Sequence, residues 1–447
     1  MFLKRTIQEV EKRQIFGFTR LSYEKLVMQV IQIVWTTMKS GKILSSYAGI
    51  PKEAKYLIYA SIMPAVAFGL IFTDISYFLT AVQNLSAEFT GIVISAMGIS
   101  AFVASFFLGI AADIYGRKKM LVVGNLLASL ILAALALTTD PVLLIIAAIL
   151  EGIAEAAVFT SSNALLADKV DNEKRTSLFS LYSFVQSIAF GLGSFAVLFL
   201  IVFEFMGFTN KDSHVLLYVL ITILGAASTL IMLKVSESKR LKKTKADKTD
   251  FLPRKSKDVL LKYVLTSAIL AFGAGMVVPL MTLWFNLQYG ISDTISAPIL
   301  AASSILIGFA SLAAPRVAKR FGLVKAMVIT QVVSTPFMFF IPFSPNYALA
   351  GFVYSLRALL MNMASPLSLS MVMGLVAEDE RGAVSGISGA LWRLPNALST
   401  WIGGWLMGIG LLAEPFLIAG ILYIISIILF WYYFRKVKMP EEEARQP

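Results

Sequence analysis

The sequence predicts an all-α integral membrane protein built as two pseudo-symmetric six-helix bundles with twelve transmembrane helices. Three observations lead there: an apolar composition spread along the chain, a series of apolar runs of spanning length, and an internal repeat at one fixed offset. Of the 447 residues, 57% are hydrophobic and 15% charged, well below the roughly 25% charged of an ordinary soluble domain. A soluble fold has no place for that much apolar surface. A hydrocarbon core of about 30 Å needs about 20 apolar residues per helix, and runs of that kind recur from Tyr56 almost to the C-terminus.

In chain order, residues 1–55 read as a cytoplasmic or interfacial segment. The stretch SYEKLVMQVIQIVWTTMKS mixes dense apolar residues with Lys and Gln, as an interfacial helix does. The first bundle, 56–233, holds runs near 56–83, 89–112, 119–138, 141–166, 177–204 and 213–233. Residues 234–258, KVSESKRLKKTKADKTDFLPRKSKD, are charged and poor in apolar side chains, which makes them a cytoplasmic linker. The second bundle, 259–434, holds runs near 259–287, 293–315, 323–341, 345–376, 383–408 and 413–434, and a cytoplasmic tail, 435–447, follows. Pro64, Pro279, Pro336, Pro366 and Pro395 fall inside runs, where neighbouring helices can satisfy the carbonyls a proline frees.

Orientation follows from the basic residues. With a cytoplasmic amino terminus, 36 of the 39 Lys and Arg fall in inside segments, Lys211 falls outside, and Arg357 and Arg393 lie within spans. That bias puts both termini in the cytoplasm, in a cell-membrane protein of many passes. It also explains the net charge of +12 by attraction to the inner leaflet, with membrane lipids as partners and no nucleic acid.

Other chemistries lack their residues. There is no cysteine and one histidine, His214, read as a residue of a short loop; from these no disulfide, metal centre or catalytic relay is expected. The first residues lack an uninterrupted apolar core and a small-residue cleavage site, so no removable signal peptide is expected. No GxxxxGK[ST] phosphate loop occurs. Neither an enzyme nor a cofactor is expected.

The two halves repeat at an offset of 206 residues. Gly116 in GRKK matches Gly322 in FGLVK, Arg175 in NEKR matches Arg381 in EDER, and Glu151 matches Arg357. Three coincidences at one offset, aligned with span boundaries, indicate two copies of one unit.

With these features the chain resembles the major facilitator superfamily of twelve-helix secondary transporters, and within it the proton-coupled drug and solute efflux permeases. GIAADIYGRKK, Gly109 to Lys119, is similar to the family signature between its second and third helices: a glycine, an aspartate four later, then glycine and basic residues. The corresponding PRVAKRFGLVK is degenerate, with Pro315 and Lys319 where glycine and aspartate would stand. The fourth run carries Ala148 where many members have arginine, and FGLGSF, Phe190 to Phe195, lacks the proline of many antiporters. The resemblance implies that Gly109, Asp113, Gly116 and Arg117 act as a conformational gate, with Asp113 stabilising an outward-facing state. Physically, the glycines permit close helix approach and a tight turn, and Asp113 can meet a helix amino terminus or Arg117. Arg117, Lys118 and Lys119 also read as plain positive-inside anchors.

An ionisable group inside the bilayer is costly and usually faces the bundle interior. Five stand within runs: Asp74, Glu151, Glu155, Arg357 and Arg393. The resemblance implies that the first, fourth, seventh and tenth helices line a central cavity, which would place all of these except Arg393 on cavity-lining helices. Glu151 and Glu155 share a helix face. Two carboxylates so close in an apolar span suit the uptake and release of a proton. Either could pair with Arg357 across the cavity, or Arg357 could bind an anionic substrate; packing alone is the plainer alternative. Phe72, Tyr77 and Trp284 are candidates to line an amphipathic cavity. The expected function is secondary active transport by alternating access, first as proton-coupled efflux of small amphipathic or drug-like molecules by a monomer. Proton-coupled uptake, exchange of an organic anion, and lipid flipping remain the alternatives.

Overall fold

A computed structural model describes residues 50–167, 169, 172–235, 256–376 and 381–437. The expected interfacial helix, nearly all of the linker and most of the tail lie outside the described residues. Everything described is helix or short connection. The first half comprises α1 (Lys52–Ala60), α2 (Ile62–Tyr77), α3 (Ala87–Tyr115), α4 (Arg117–Leu137), α5 (Pro141–Ala167), α6 (Asn172–Phe195), α7 (Phe199–Phe205) and α8 (Asn210–Met232). The second comprises α9 (Lys257–Gly275), α10 (Met281–Tyr289), α11 (Asp293–Phe321), α12 (Leu323–Phe340), α13 (Tyr347–Asn362), α14 (Ala364–Leu375), α15 (Arg381–Gly408) and α16 (Glu414–Phe434).

Local sequence sets the ends of these helices. Ser86, Thr209 and Asn346 each accept a hydrogen bond from the backbone N–H three residues on, capping α3, α8 and α13. Gly116 and Gly322 have φ of 102° and 82°, a backbone state that favours glycine, and each turns one long helix into the next. The repeat carries through to element boundaries. Helices α3 and α11 are both 29 residues long, and the starts of α3, α4 and α5 lie 206 residues before those of α11, α12 and α13.

Ten stretches among the described residues are long and apolar enough to cross a membrane, from Lys52–Val82 to Glu414–Phe434. The protein is therefore an integral, multi-pass membrane protein. The two other expected runs are helical too: 345–376 contains α13 and α14 in direct succession, and 383–408 lies within α15. Large apolar side chains such as Phe107, Ile223, Phe352 and Tyr432 are more than half exposed, as a lipid-facing surface requires.

Within the first half α2 packs on α6, α3 and α4 on α5, and α8 on α4. Within the second, α9 packs on α15 and α16, and α12 on α13 and α16. Across the halves α3 runs along α15 and α6 along α11, while α10 touches α2. The turns at Gly116 and Gly322, flanked by the helix ends that carry Arg117 to Lys119 and Arg316 to Lys325, mark one end of the bundle as basic. At the other, far end lie the connections before Ala87, Pro141, Asn210, Asp293, Tyr347 and Glu414.

Candidate functional site

The intramembrane charges gather into three places. The first is at mid-span between the halves. Glu151 and Glu155 lie ten and fourteen residues into α5, about 15 and 21 Å from its far end at about 1.5 Å per residue. Arg393 of α15 donates through Nη2 to Glu155 Oε1 at 3.0 Å, so the ion pair joins the first half to the second. Its guanidinium also lies 5.0 Å from the centre of the Phe159 ring, one turn further along α5. The side chains of Arg393 and Glu155 are 21% and 26% exposed, so water reaches the pair. Glu151 is buried, and its Oε2 has no hydrogen-bond partner. Gly152 lets α5 come this close to α3: a Cβ there would meet the Met97 carbonyl oxygen at 2.1 Å.

The second place corrects an expectation. Arg357 does not reach either glutamate. It is buried in α13 against α16, where its Nη2 donates to the Tyr423 hydroxyl and its guanidinium lies 5.3 Å from the Tyr423 ring centre. The arginine that does cross to α5 is Arg393.

The third place, at the far end, joins the expected Asp74 to two residues that were not singled out from sequence, His214 and Asp293. His214 is not a loop residue: it stands in the second turn of α8 with no exposed surface. Its Nδ1 is 2.8 Å from the Asn210 carbonyl oxygen, and its Nε2 is 3.1 Å from Asp293 Oδ2 and 3.8 Å from Asp74 Oδ1. Asp74 and Asp293 are themselves buried. Tyr77 and Phe78 stack with the imidazole at ring-centre distances of 6.4 and 5.4 Å. One ligand atom from each of Asp74, His214 and Asp293 lies within 4.8 Å of the others, a grouping around the lone histidine that the sequence reading did not foresee. The signal available in sequence was faint: His214, Tyr218 and Thr222 recur at helical spacing in an otherwise apolar run.

Two of the proposed cavity aromatics have ordinary packing partners. Trp284 is fully buried, donates to the Leu412 carbonyl at 3.0 Å and packs on Phe416, which corrects its assignment to a cavity wall. Phe72 packs against Phe68 and Phe190.

Comparison with known proteins bears on what such a bundle does. The described pattern of the Major Facilitator Superfamily matches residues 57–399 and 263–447. The chain belongs to that superfamily. Multidrug resistance protein 2 of Bacillus subtilis (strain 168) is similar at 23% identity over 375 residues, covering 81% of this chain and 90% of that protein. Among solved structures, the nucleoside transporter NupG superposes with a TM-score of 0.67 at 16% identity, covering 87% of this chain and all of that one. A D-xylose-proton symporter does so with a TM-score of 0.67 at 17% identity, covering 88% and 99%. At such identities the structures show a shared fold alone. As a superfamily member the chain is a secondary transporter of small solutes across a membrane, not an enzyme.

The stretch that resembles the superfamily signature lies at the basic end. Gly109 and Asp113 fall in the last two turns of α3, Gly116 makes the turn, and Arg117 opens α4. Arg117 Nη1 donates to the Ala164 carbonyl of α5 at 3.1 Å, tying the turn to the helix that carries Glu151 and Glu155.

Proposed function

We propose that this transporter exports small amphipathic molecules across the plasma membrane in exchange for protons, as a monomer of twelve spans divided into halves 56–233 and 259–434, with both termini cytoplasmic. The observation that carries the reading is the Glu155–Arg393 ion pair between the halves, with the buried Glu151 one turn away on the same helix face. A proton arriving at Glu155 removes the charge that holds Arg393, weakening a link the halves must break to rearrange. In this reading Glu151, one turn away, takes the positive charge or the proton that the pair gives up. The likeness to Multidrug resistance protein 2 supports export of drug-like compounds. Gly109, Asp113, Gly116 and Arg117 are proposed as the hinge and clamp at the basic end, coupled to α5 through the Arg117 bond to Ala164.

Anion exchange would need an arginine free to meet its substrate, yet Arg357 is packed on Tyr423 and Arg393 is held by Glu155. The test is proton movement in proteoliposomes on addition of lipophilic cations, neutral sugars or organic anions. Wild type is expected to move protons with lipophilic cations, and Glu155→Gln and Glu151→Gln to lose that coupling. Unchanged transport in both variants, without proton movement in any, would overturn the proposal in favour of facilitated or lipid transport.

A further inference from the structure

We propose that Asp74, His214 and Asp293 bind one divalent transition-metal cation that bridges the two halves at the far end of the bundle. The inference does not rest on proton exchange at Glu151 and Glu155. Asp74 on α2 and His214 on α8 belong to the first half, whereas Asp293 opens α11 of the second. A cation shared by the three therefore spans the seam between the halves.

The histidine is prepared as a ligand. A backbone carbonyl can only accept, so the 2.8 Å contact with the Asn210 oxygen puts a hydrogen on Nδ1. In the neutral ring this leaves the Nε2 lone pair directed at the two carboxylates, the arrangement in which metal-bound imidazoles are commonly held. Stacking with Tyr77 and Phe78 fixes the ring plane. The separations suit a small cation: from Nε2 the carboxylate oxygens are 3.1 and 3.8 Å away, on either side of the about 3.4 Å between neighbouring ligands of a tetrahedral ion with bonds of about 2.1 Å. One nitrogen and two carboxylate oxygens match Zn²⁺, Mn²⁺ or Co²⁺ better than an alkali ion.

The carboxylates supply a second, independent observation. Among the described residues, Oδ1 of Asp293 is buried without a hydrogen-bond partner, and the buried Asp74 has beside it only the Tyr218 hydroxyl, the Asp293 carboxylate and the His214 ring. A proton on Nε2 would serve Asp293 at 3.1 Å but would not reach Asp74, 3.8 Å away. One divalent cation reaches both and cancels the two negative charges, which burial in a membrane protein otherwise makes costly. Tyr218, one turn along α8 from His214, brings its buried hydroxyl up to Asp74 and so lies at the edge of the same cluster. The seam beside this cluster is closed already, since Thr282 Oγ1 of α10's first turn donates to the Thr73 carbonyl of α2 at 2.5 Å. Bound metal would hold that closed far end.

The test starts with chelator-treated protein in lipid nanodiscs, titrated with Co²⁺ by visible absorption and with Zn²⁺ by calorimetry. Wild type is expected to bind one ion per chain, and His214→Gln and Asp293→Asn to weaken binding at least tenfold. No binding to wild type, or equal binding in both variants as for adventitious surface sites, overturns the proposal. Bridging is read separately. The chain has no cysteine, so Ala87→Cys, at the buried far-end contact of α3 with Gly404 of α15, gives a single thiol. Saturating Mn²⁺, which binds thiols weakly, should slow its alkylation several-fold. An unchanged rate with metal bound would overturn the bridging role.

Discussion

The closest backbone approaches lie between helices of one half, and those between helices of opposite halves are looser. On the α2–α6 seam a Cβ at Gly193 would sit 1.9 Å from the Val66 carbonyl oxygen, and one at Gly69 would sit 2.1 Å from that of Phe190. On α9–α15 a Cβ at Gly275 would meet the Asn396 oxygen at 2.0 Å. Across the halves the corresponding distances open out: 2.7 Å from Gly404 to the Ala87 oxygen and 3.1 Å from Gly91 to that of Thr400. The polar contacts follow the same division. Within the first half, Asn125 alone donates to Gly225, Ser228 and Thr229. Between halves the described bonds are single ones, such as Ser95 to Ala397. The closer seams hold the helices of each half together, and a rearrangement that parts the looser ones leaves each half's own contacts in place.

The largest effect is expected where a within-half seam is forced apart. Gly193→Val places branched carbons where the Val66 backbone already stands, and no rotamer relieves a clash that begins at Cβ. A loss of about 3 kcal/mol or more follows, visible as loss of the monodisperse peak in size-exclusion chromatography. A native elution profile for this variant would break the distinction between the two kinds of seam.

Next comes the charged link of the between-half seam. Arg393→Ala leaves Glu155 without its partner. Breaking a buried pair costs about 3–5 kcal/mol; partial exposure of this one reduces that to about 2, or roughly thirtyfold in coupled transport. The protein should still fold, because each half keeps its own seams. The exchanged pair Arg393→Glu with Glu155→Arg should recover part of the loss, and a failure of Arg393→Ala to change transport would show the link to be idle.

Gly98→Ala sharpens the comparison from the packing side. Its Cβ would stand 2.6 Å from that of Ala397 on α15, so α3 and α15 must separate slightly. An overpacking cost of about 1.4 kcal/mol, borne only by the closed far end, is a tenfold rise in the labelling rate of a far-end thiol such as Ala87→Cys. The same substitution should leave thermal stability nearly unchanged, unlike Gly193→Val.

The sequence made some of this legible and concealed the rest for identifiable reasons. Span length and a glycine turn are local properties, so the apolar runs and the match of Gly116 with Gly322 translate directly into helices and their ends. Asp74, Glu151, Glu155, Arg357 and Arg393 were recognisable because a charge in an apolar run is conspicuous. Their partners were not, since partnership depends on how each helix is rotated: Glu155 meets Arg393, 238 residues away, and Arg357 turns to Tyr423. Asp293 was hidden in another way. An acidic residue in the first turn of a helix is the ordinary complement of the helix dipole, and nothing in the sequence separates that role from facing His214.

The smallest effect should come from Ser95→Ala. Its hydroxyl donates to the Ala397 carbonyl at 2.6 Å from the opposite half, and that carbonyl lies inside α15, where it can also accept the helical bond from the N–H four residues on. Removing Ser95 Oγ therefore takes away a second bond and orphans no backbone group, so the cost is that of one net hydrogen bond, about 1 kcal/mol. Because the bond exists only while α3 and α15 are together, the whole of that cost falls on the closed far end, and far-end thiol labelling should rise about fivefold. Combined with Gly98→Ala, one turn further along α3 and against the same Ala397, the two effects should not add, because a seam already parted by the extra methyl group has lost the Ser95 bond before the mutation removes it.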